Sequence, residues 1–260
     1  MIRLSMKTVP VYIGWILTIF ILAFPVHAET DSDGKWQFQI APYAWLCGQK
    51  GDLATQPGLP AAEVDIDFYD DILGNINGSF SLIGEARKGR YGVVADIDYS
   101  DIEDDEATAG PFYSTLTTRT KSWIVSAAGL YRLIQEDQTF LDAVAGVRYW
   151  SVDSTLEFGA GILPATERSN HEDWVDPLIG IKGLLPLGTS KFFISGAFSM
   201  GGFGMGSDFM WDAMLNLGYQ WTPMFSITVG YRYLDVDYDE NDFLYDVSQQ
   251  GLVFGLSWRF

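Results

Sequence analysis

Leu252-Val253-Phe254-Gly255-Leu256-Ser257-Trp258-Arg259-Phe260 is the stretch on which the fold turns. In an extended strand, Leu252, Phe254, Leu256, Trp258 and Phe260 share one face, and Val253, Gly255, Ser257 and Arg259 the other, because successive side chains point to opposite sides. One face is large and apolar; the other is mostly small or charged. A half-buried strand of a soluble sheet alternates in the same way, so the stretch has to be weighed with what precedes it.

The preceding stretches repeat it. Phe225, Ile227, Val229, Tyr231 and Tyr233 oppose Ser226, Thr228, Gly230 and Arg232. Trp211, Ala213, Leu215, Leu217, Tyr219 and Trp221 oppose Asp212, Met214, Asn216, Gly218 and Gln220. Thr222-Pro223 between them reads as a tight turn. Counting backwards predicts further strands over 190–203, 172–186, 139–157, 117–132, 91–101, 78–88 and 36–48, about ten in all, within a range of about eight to twelve. Short connectors (89–90, 133–138, 187–189, 222–223) alternate with longer ones (49–77, 102–116, 158–171, 204–210, 234–251). The lengths approach the roughly 9–11 residues that cross a bilayer as a tilted strand. Lipid cannot satisfy an open sheet edge, so spanning strands must close. The expected fold is all-β: a closed antiparallel transmembrane β-barrel with short turns at one end and longer acidic loops at the other. Within 49–77, Glu63–Phe68 reads as a short strand and Tyr69–Ile76 as a helical turn. An outer loop, a lumen insertion and two extra strands all remain open there.

The N-terminus reads differently. Arg3 and Lys7 precede an apolar run, Val11–Phe24, and then Pro25-Val26-His27-Ala28. This is the pattern of a secretory signal peptide cleaved after Ala28, leaving 29–260 as one barrel domain. The run is shorter than the roughly 20 residues of a spanning helix. No later segment supplies roughly 18 uncharged apolar residues, although 48% of the chain is hydrophobic and 15% aromatic; that apolar content has to be carried by strands. The single cysteine, Cys47, permits no internal disulfide and reads as a strand or rim residue. The net charge of −18 becomes more negative once Arg3 and Lys7 are removed. It disfavours nucleic acid as a partner, since phosphate binding needs a basic surface.

Several motifs recur in order: WQFQIAPYAW (36–45), Val64–Phe68, RKGRYGVVADID (87–98), GVRYW (146–150), GYRYLDVDY (230–238) and the terminal Phe260. Together they resemble the uncharacterised outer-membrane β-barrel families of Gram-negative proteobacteria, small and porin-like in look. Leu252, Phe254, Leu256, Trp258 and Phe260 resemble the C-terminal signal that the barrel assembly machinery recognises. The resemblance implies an integral outer-membrane protein with both termini periplasmic, surrounded by outer-membrane lipid and lipopolysaccharide. It implies no reaction, because barrels of this look include porin-like, structural and enzymatic members. Trp36, Tyr91, Tyr131, Tyr149, Trp221, Tyr233 and Trp258 fall near expected strand ends, where interfacial girdles lie.

The expected lumen face carries Glu85, Asp96, Asp98, Asp142 and Asp212 with Arg87, Arg148, Lys182 and Arg232. Buried charges must be paired or hydrated, so a salt-bridged interior filling a narrow barrel stands beside a small pore lined by these groups. Asp96 and Asp98 share one strand face. After the signal, His171 in Ser169-Asn170-His171-Glu172-Asp173 is the remaining histidine. Read as a solvated loop residue, it gives little basis for hydrolase chemistry. No cofactor is expected. Asp101–Glu106 and the cluster Asp235, Asp237, Asp239, Glu240 and Asp242 form an acidic outer rim. Asp235, Asp237, Asp239 and Asp242 are weak candidates for a divalent cation, with Glu240 where a calcium loop wants Gly. Gly201–Gly206 reads as a flexible outer turn. The expected function is a structural or narrow porin-like barrel whose rim attracts cations. The alternative is a surface-binding or adhesive barrel engaging divalent cations or lipopolysaccharide. A lipid- or peptide-modifying hydrolase is a third reading.

Overall fold

A computed structural model describes residues 34–54, 62–66, 76–107, 111–240 and 243–260. The signal-peptide segment lies outside them, as does the helical turn expected over Tyr69–Ile76 apart from Ile76, which opens a strand. Eleven strands follow in order: β1 (Trp36–Ala54), β2 (Ala62–Ile66), β3 (Ile76–Lys88), β4 (Tyr91–Ala107), β5 (Tyr113–Glu136), β6 (Thr139–Ala160), β7 (Thr166–Pro186), β8 (Phe192–Gly202), β9 (Phe209–Thr222), β10 (Phe225–Glu240) and β11 (Phe243–Arg259). From β3 to β11 each pairs antiparallel with the next, β3 pairs with β1, and β11 returns to β1. Ten strands therefore close a ring. β2, the short strand expected near 63–68, pairs with β1 over Gln49–Leu53, beyond Tyr43, where the β1–β3 ladder stops.

The connectors expected to be long are shorter because pairing continues into them. β6 and β7 stay in register out to Phe158↔Thr166. β10 and β11 stay paired from Asp235↔Ser248 to Glu240↔Phe243. These segments keep strand formers at alternate positions, Leu234, Val236 and Tyr238 among them. At the other end, the turn expected over 133–138 tightens to Asp137-Gln138, with Asp137 at φ 51°, a conformation Asp tolerates.

Two aromatic belts bracket the outward apolar face. Tyr91 pairs with Tyr131 and Tyr99 with Trp123 on the same two strands, their rings 5.4 and 4.7 Å apart. Tyr91 through Tyr99 is nine residues, the reach of a tilted strand across a bilayer. The first belt continues through Trp36, Phe38 and Phe260 and through Phe225 with Trp258. The second continues through Trp211 with Tyr233. Between them Val147, Ile179, Ile181, Leu217, Val229 and Phe254 are exposed, as lipid-facing side chains are.

Past the second belt the pattern inverts without a change of strand phase. On β10, Tyr231 is exposed while Arg232 is buried; six residues on, Asp237 is exposed while Leu234, Val236 and Tyr238 are buried. The hairpins at this end thus pack as a water-soluble sheet does, apolar inward and charged outward.

The seam that closes the ring tolerates no side chain at Gly251. A Cβ there would stand 1.8 Å from the Leu46 carbonyl oxygen and 2.8 Å from Cys47 Cα. Gly251→Val is expected to destabilise the barrel by at least ~1–3 kcal/mol, as overpacked sites do, read as a lower temperature for losing the fast-migrating folded band on an unboiled gel. An unchanged temperature would show that the seam can shift to admit the side chain.

Candidate functional site: a filled lumen

All nine charges assigned to the lumen face point inward, and the structure gathers them into two groups. The first lies at mid-depth. β10 carries Arg232 across the bore, 1% exposed. Its Nη1 donates to the Tyr43 hydroxyl of β1 (2.7 Å) and to Asp98 Oδ2 of β4 (2.9 Å). Its Nε and Nη2 donate to the two oxygens of Asp212 on β9 (3.1 and 2.8 Å). Asp96 Oδ2 lies 3.6 Å away. The Tyr43 hydroxyl in turn reaches Asp98 at 2.7 Å and Asp96 at 2.9 Å; with one proton it donates to one carboxylate at a time. Arg148 of β6 donates to Asp212 (2.8 Å) and to Ser126 Oγ of β5 (2.9 Å). The Arg232 guanidinium also lies over the Trp45 ring, 4.5 Å from its centroid. Six strands from opposite walls are tied here by charge-assisted bonds, which are shorter and stronger than neutral ones.

The second group lies at the short-turn end. Arg87 Nε donates to Glu85 (3.1 Å) and Nη2 to Asp142 (2.5 Å). Arg132 Nε donates to the other oxygen of Asp142 (2.5 Å) and Nη1 to Gln135. Lys182 is paired with Glu85. Asp142 is fully buried. Arg132 belongs to this group but was not among the nine; its inward phase on β5, two residues past Leu130, is the signal that could have found it.

Above mid-depth the filling is aromatic, which the sequence reading missed. Trp150 stacks on Trp174 (5.5 Å) and Trp174 on Tyr238 (4.0 Å), with Tyr245 edge-on to Trp174 (5.9 Å). Trp150 and Val152 continue the inward phase of Arg148, which is where the signal lay. Over this stack the β8–β9 connector folds inward. Gly202, Phe203 and Gly204 take φ of 81°, 54° and 71°, and Ser207 is fully buried. The Ser207 N–H and Oγ–H donate to the two oxygens of Asp176 (both 2.7 Å). Trp150 Nε1 donates to Asp176 (2.8 Å), and Trp174 Nε1 to Ser207 Oγ (2.9 Å). The turn expected to be flexible is therefore anchored to a buried carboxylate. A small cavity of about 10 Å³ beside Trp45, Asp98 and Ser122 is on the scale of one water.

The acidic rim does not converge. Asp235, Asp237 and Asp239 project from successive outward positions of β10, roughly 7 Å apart, and Asp242 lies outside the described residues. No group of three acids, histidines or cysteines suited to a metal forms among the described residues. Asp52, Asp246 and Asp237 instead stand abreast on β1, β11 and β10. Partial burial and then the neighbouring carboxylates raise the pKa of Asp237 and of Asp246 above the ordinary aspartate value. His171 sits in strand β7 rather than in a loop, exposed. Its Nδ1 is 2.9 Å from Asp153 and its Nε2 3.5 Å from Asp173, so both ring nitrogens face carboxylates rather than a hydroxyl.

A closed antiparallel ring, apolar outward between aromatic belts and ion-paired inward, defines a transmembrane β-barrel. No family model and no curated protein matches this chain. Among solved structures it is similar to the translocator domain of the autotransporter NalP from Neisseria meningitidis, at 12% identity, covering 88% of this chain and 90% of that one, with a TM-score of 0.48. It is similar also to Ail, the attachment invasion locus protein of Yersinia pestis, at 12% identity over 86% and 98% of the two chains (TM-score 0.36). A third is Neisserial surface protein A, at 13% identity over 86% and 97% (TM-score 0.33).

Proposed function

We propose that the protein is a structural, non-conducting barrel of the Gram-negative outer membrane, with its short turns and both termini in the periplasm and its acidic hairpins at the cell surface. The carrying observation is the filled bore. Arg232, 1% exposed, bridges β1, β4 and β9, and the aromatic stack and the Ser207 connector lie above it. This supports the structural half of the sequence-based reading over the narrow porin-like half. The terminal Phe260 and the outward apolar row Phe254, Leu256 and Trp258 support insertion by the barrel assembly machinery, with Leu252 on the same face. Reconstituted in planar bilayers, the pure protein is expected to give no conductance steps above background at any salt concentration. Steady unitary steps would instead establish a channel.

A second reading draws on the rim. Asp52, Asp246 and Asp237 stand side by side, and their mutual repulsion is relieved by screening cations. A surface-binding role, in which divalent cations bridge this rim to lipopolysaccharide phosphates, rests on that row. The hydrolase reading has His171 as its base, and the ring nitrogens lie against the carboxylates of Asp153 and Asp173.

A further inference from the structure

We infer that the short-turn end of the lumen is a binding site for a small oxyanion of the phosphate type. The inner charges there do not balance. Arg87, Arg132 and Lys182 share two carboxylates, Glu85 and Asp142. Arg259 of β11 follows the inward phase of Val253 and Gly255 to the exposed end of the strand, and its hydrogen bond goes to a neutral amide, Gln39 Oε1, at 3.4 Å. Strands β8, β9 and β10 bring no inward acid to this level: the inward positions are Phe193 and Ser195 on β8, Gly218 and Gln220 on β9, and Ser226 and Thr228 on β10.

A second observation is independent of the count. Arg87, 6% exposed, keeps a guanidinium nitrogen, Nη1, that is buried and has no hydrogen-bond partner. A guanidinium left with an unused donor is a costly arrangement unless an acceptor completes it. An oxyanion matches the fork geometry of arginine, and it supplies both the missing acceptor and the missing negative charge. The site's polarity also runs against that of the molecule. The chain carries −18 overall, with most of the acids of its strand ends on the opposite rim, while on the turns at this end Lys88, Arg90 and Lys191 outnumber Glu136 and Asp137. An anion from the bulk is therefore drawn to this mouth and repelled by the other.

The experiment uses the full barrel in nanodiscs of zwitterionic lipid, titrated calorimetrically with inorganic phosphate at constant ionic strength. Saturable binding is expected, weakened about tenfold or more in the double variant Lys182→Gln/Arg259→Gln, the loss expected for charge-assisted bonds. Both side chains are partly exposed, so the variant keeps its heat-modifiable folded band. A parallel arm embeds the native protein in nanodiscs containing an anionic phospholipid. If the anion is a lipid headgroup, free phosphate gives no heat in the zwitterionic discs, and the anionic lipid raises the melting temperature of the native barrel but not of the double variant. No response to phosphate or to anionic lipid, or an equal response from the native and variant barrels, overturns the site. Neither result bears on conductance, so this inference and the non-conducting reading fail separately.

Discussion

Arg232→Ala is expected to lower barrel stability by about 3–5 kcal/mol, the cost of stranding buried partners of a deleted charge. The substitution leaves Asp98 and Asp212 without their principal cation and Asp96 without a neighbouring one, inside a low-dielectric bore where unpaired carboxylates are expensive. It also removes the acceptor role of the Tyr43 hydroxyl and the packing over Trp45. The measurement is the urea midpoint in detergent, followed by the shift between folded and unfolded bands. A control separates burial from charge. Arg119 makes a two-pronged pair with Asp101 at 2.8 and 2.6 Å, but it stands at the water-exposed outer end with its side chain 36% exposed. Arg119→Ala should therefore cost less, about 1–3 kcal/mol, the part that remains being the lost partner of the buried Asp101. Equal midpoint shifts for the two variants would show that the mid-depth network does not hold the lumen together.

Asp176→Ala should be nearly as damaging, and its effect should be local. Three donors converge on this carboxylate: Trp150 Nε1 and the N–H and hydroxyl of Ser207. No cation shares the site among the described residues, so hydrogen bonds alone stabilise the charge, each to a charged group contributing about 1.5–3 kcal/mol. A loss of about 3–5 kcal/mol is expected for the set, allowing for non-additivity. The β8–β9 connector should then be released from the lumen. Limited proteolysis of folded protein should cut the variant near Phe203–Met205 and leave the native chain whole there. Cleavage at equal rates in both would mean that the carboxylate does not anchor the connector.

Much of this molecule could be read from the sequence. The alternation ending at Phe260 and its repeats located all ten ring strands, because a two-residue period in a membrane leaves little freedom: large apolar groups face lipid, and the rest face the bore. The same phase put Glu85, Arg87, Asp96, Asp98, Asp142, Arg148, Lys182, Asp212 and Arg232 inside. Strand ends were less legible. Asp101–Glu106 and Asp235–Glu240 read as loops because runs of acids are ordinarily solvated turns. In the barrel Asp235, Asp237 and Asp239 alternate with the inward Leu234, Val236 and Tyr238, and ladder pairing carries both segments on past the second aromatic belt.

Phase, span and inward charge were thus determined by the sequence alone, since each follows from a short-range period. Partnership was decided by the tertiary structure. Tyr43 and Arg232 are 189 positions apart and meet only because β11 closes on β1. The closure also brings Trp150, Trp174, Tyr238 and Tyr245 together as a stack. It folds Ser207 onto Asp176 and pairs Arg259 with the neutral Gln39 amide. Whether the inward charges line a pore or fill it depends on the width of the ring and on what stands opposite each side chain. Those distances exist only once ten strands have closed.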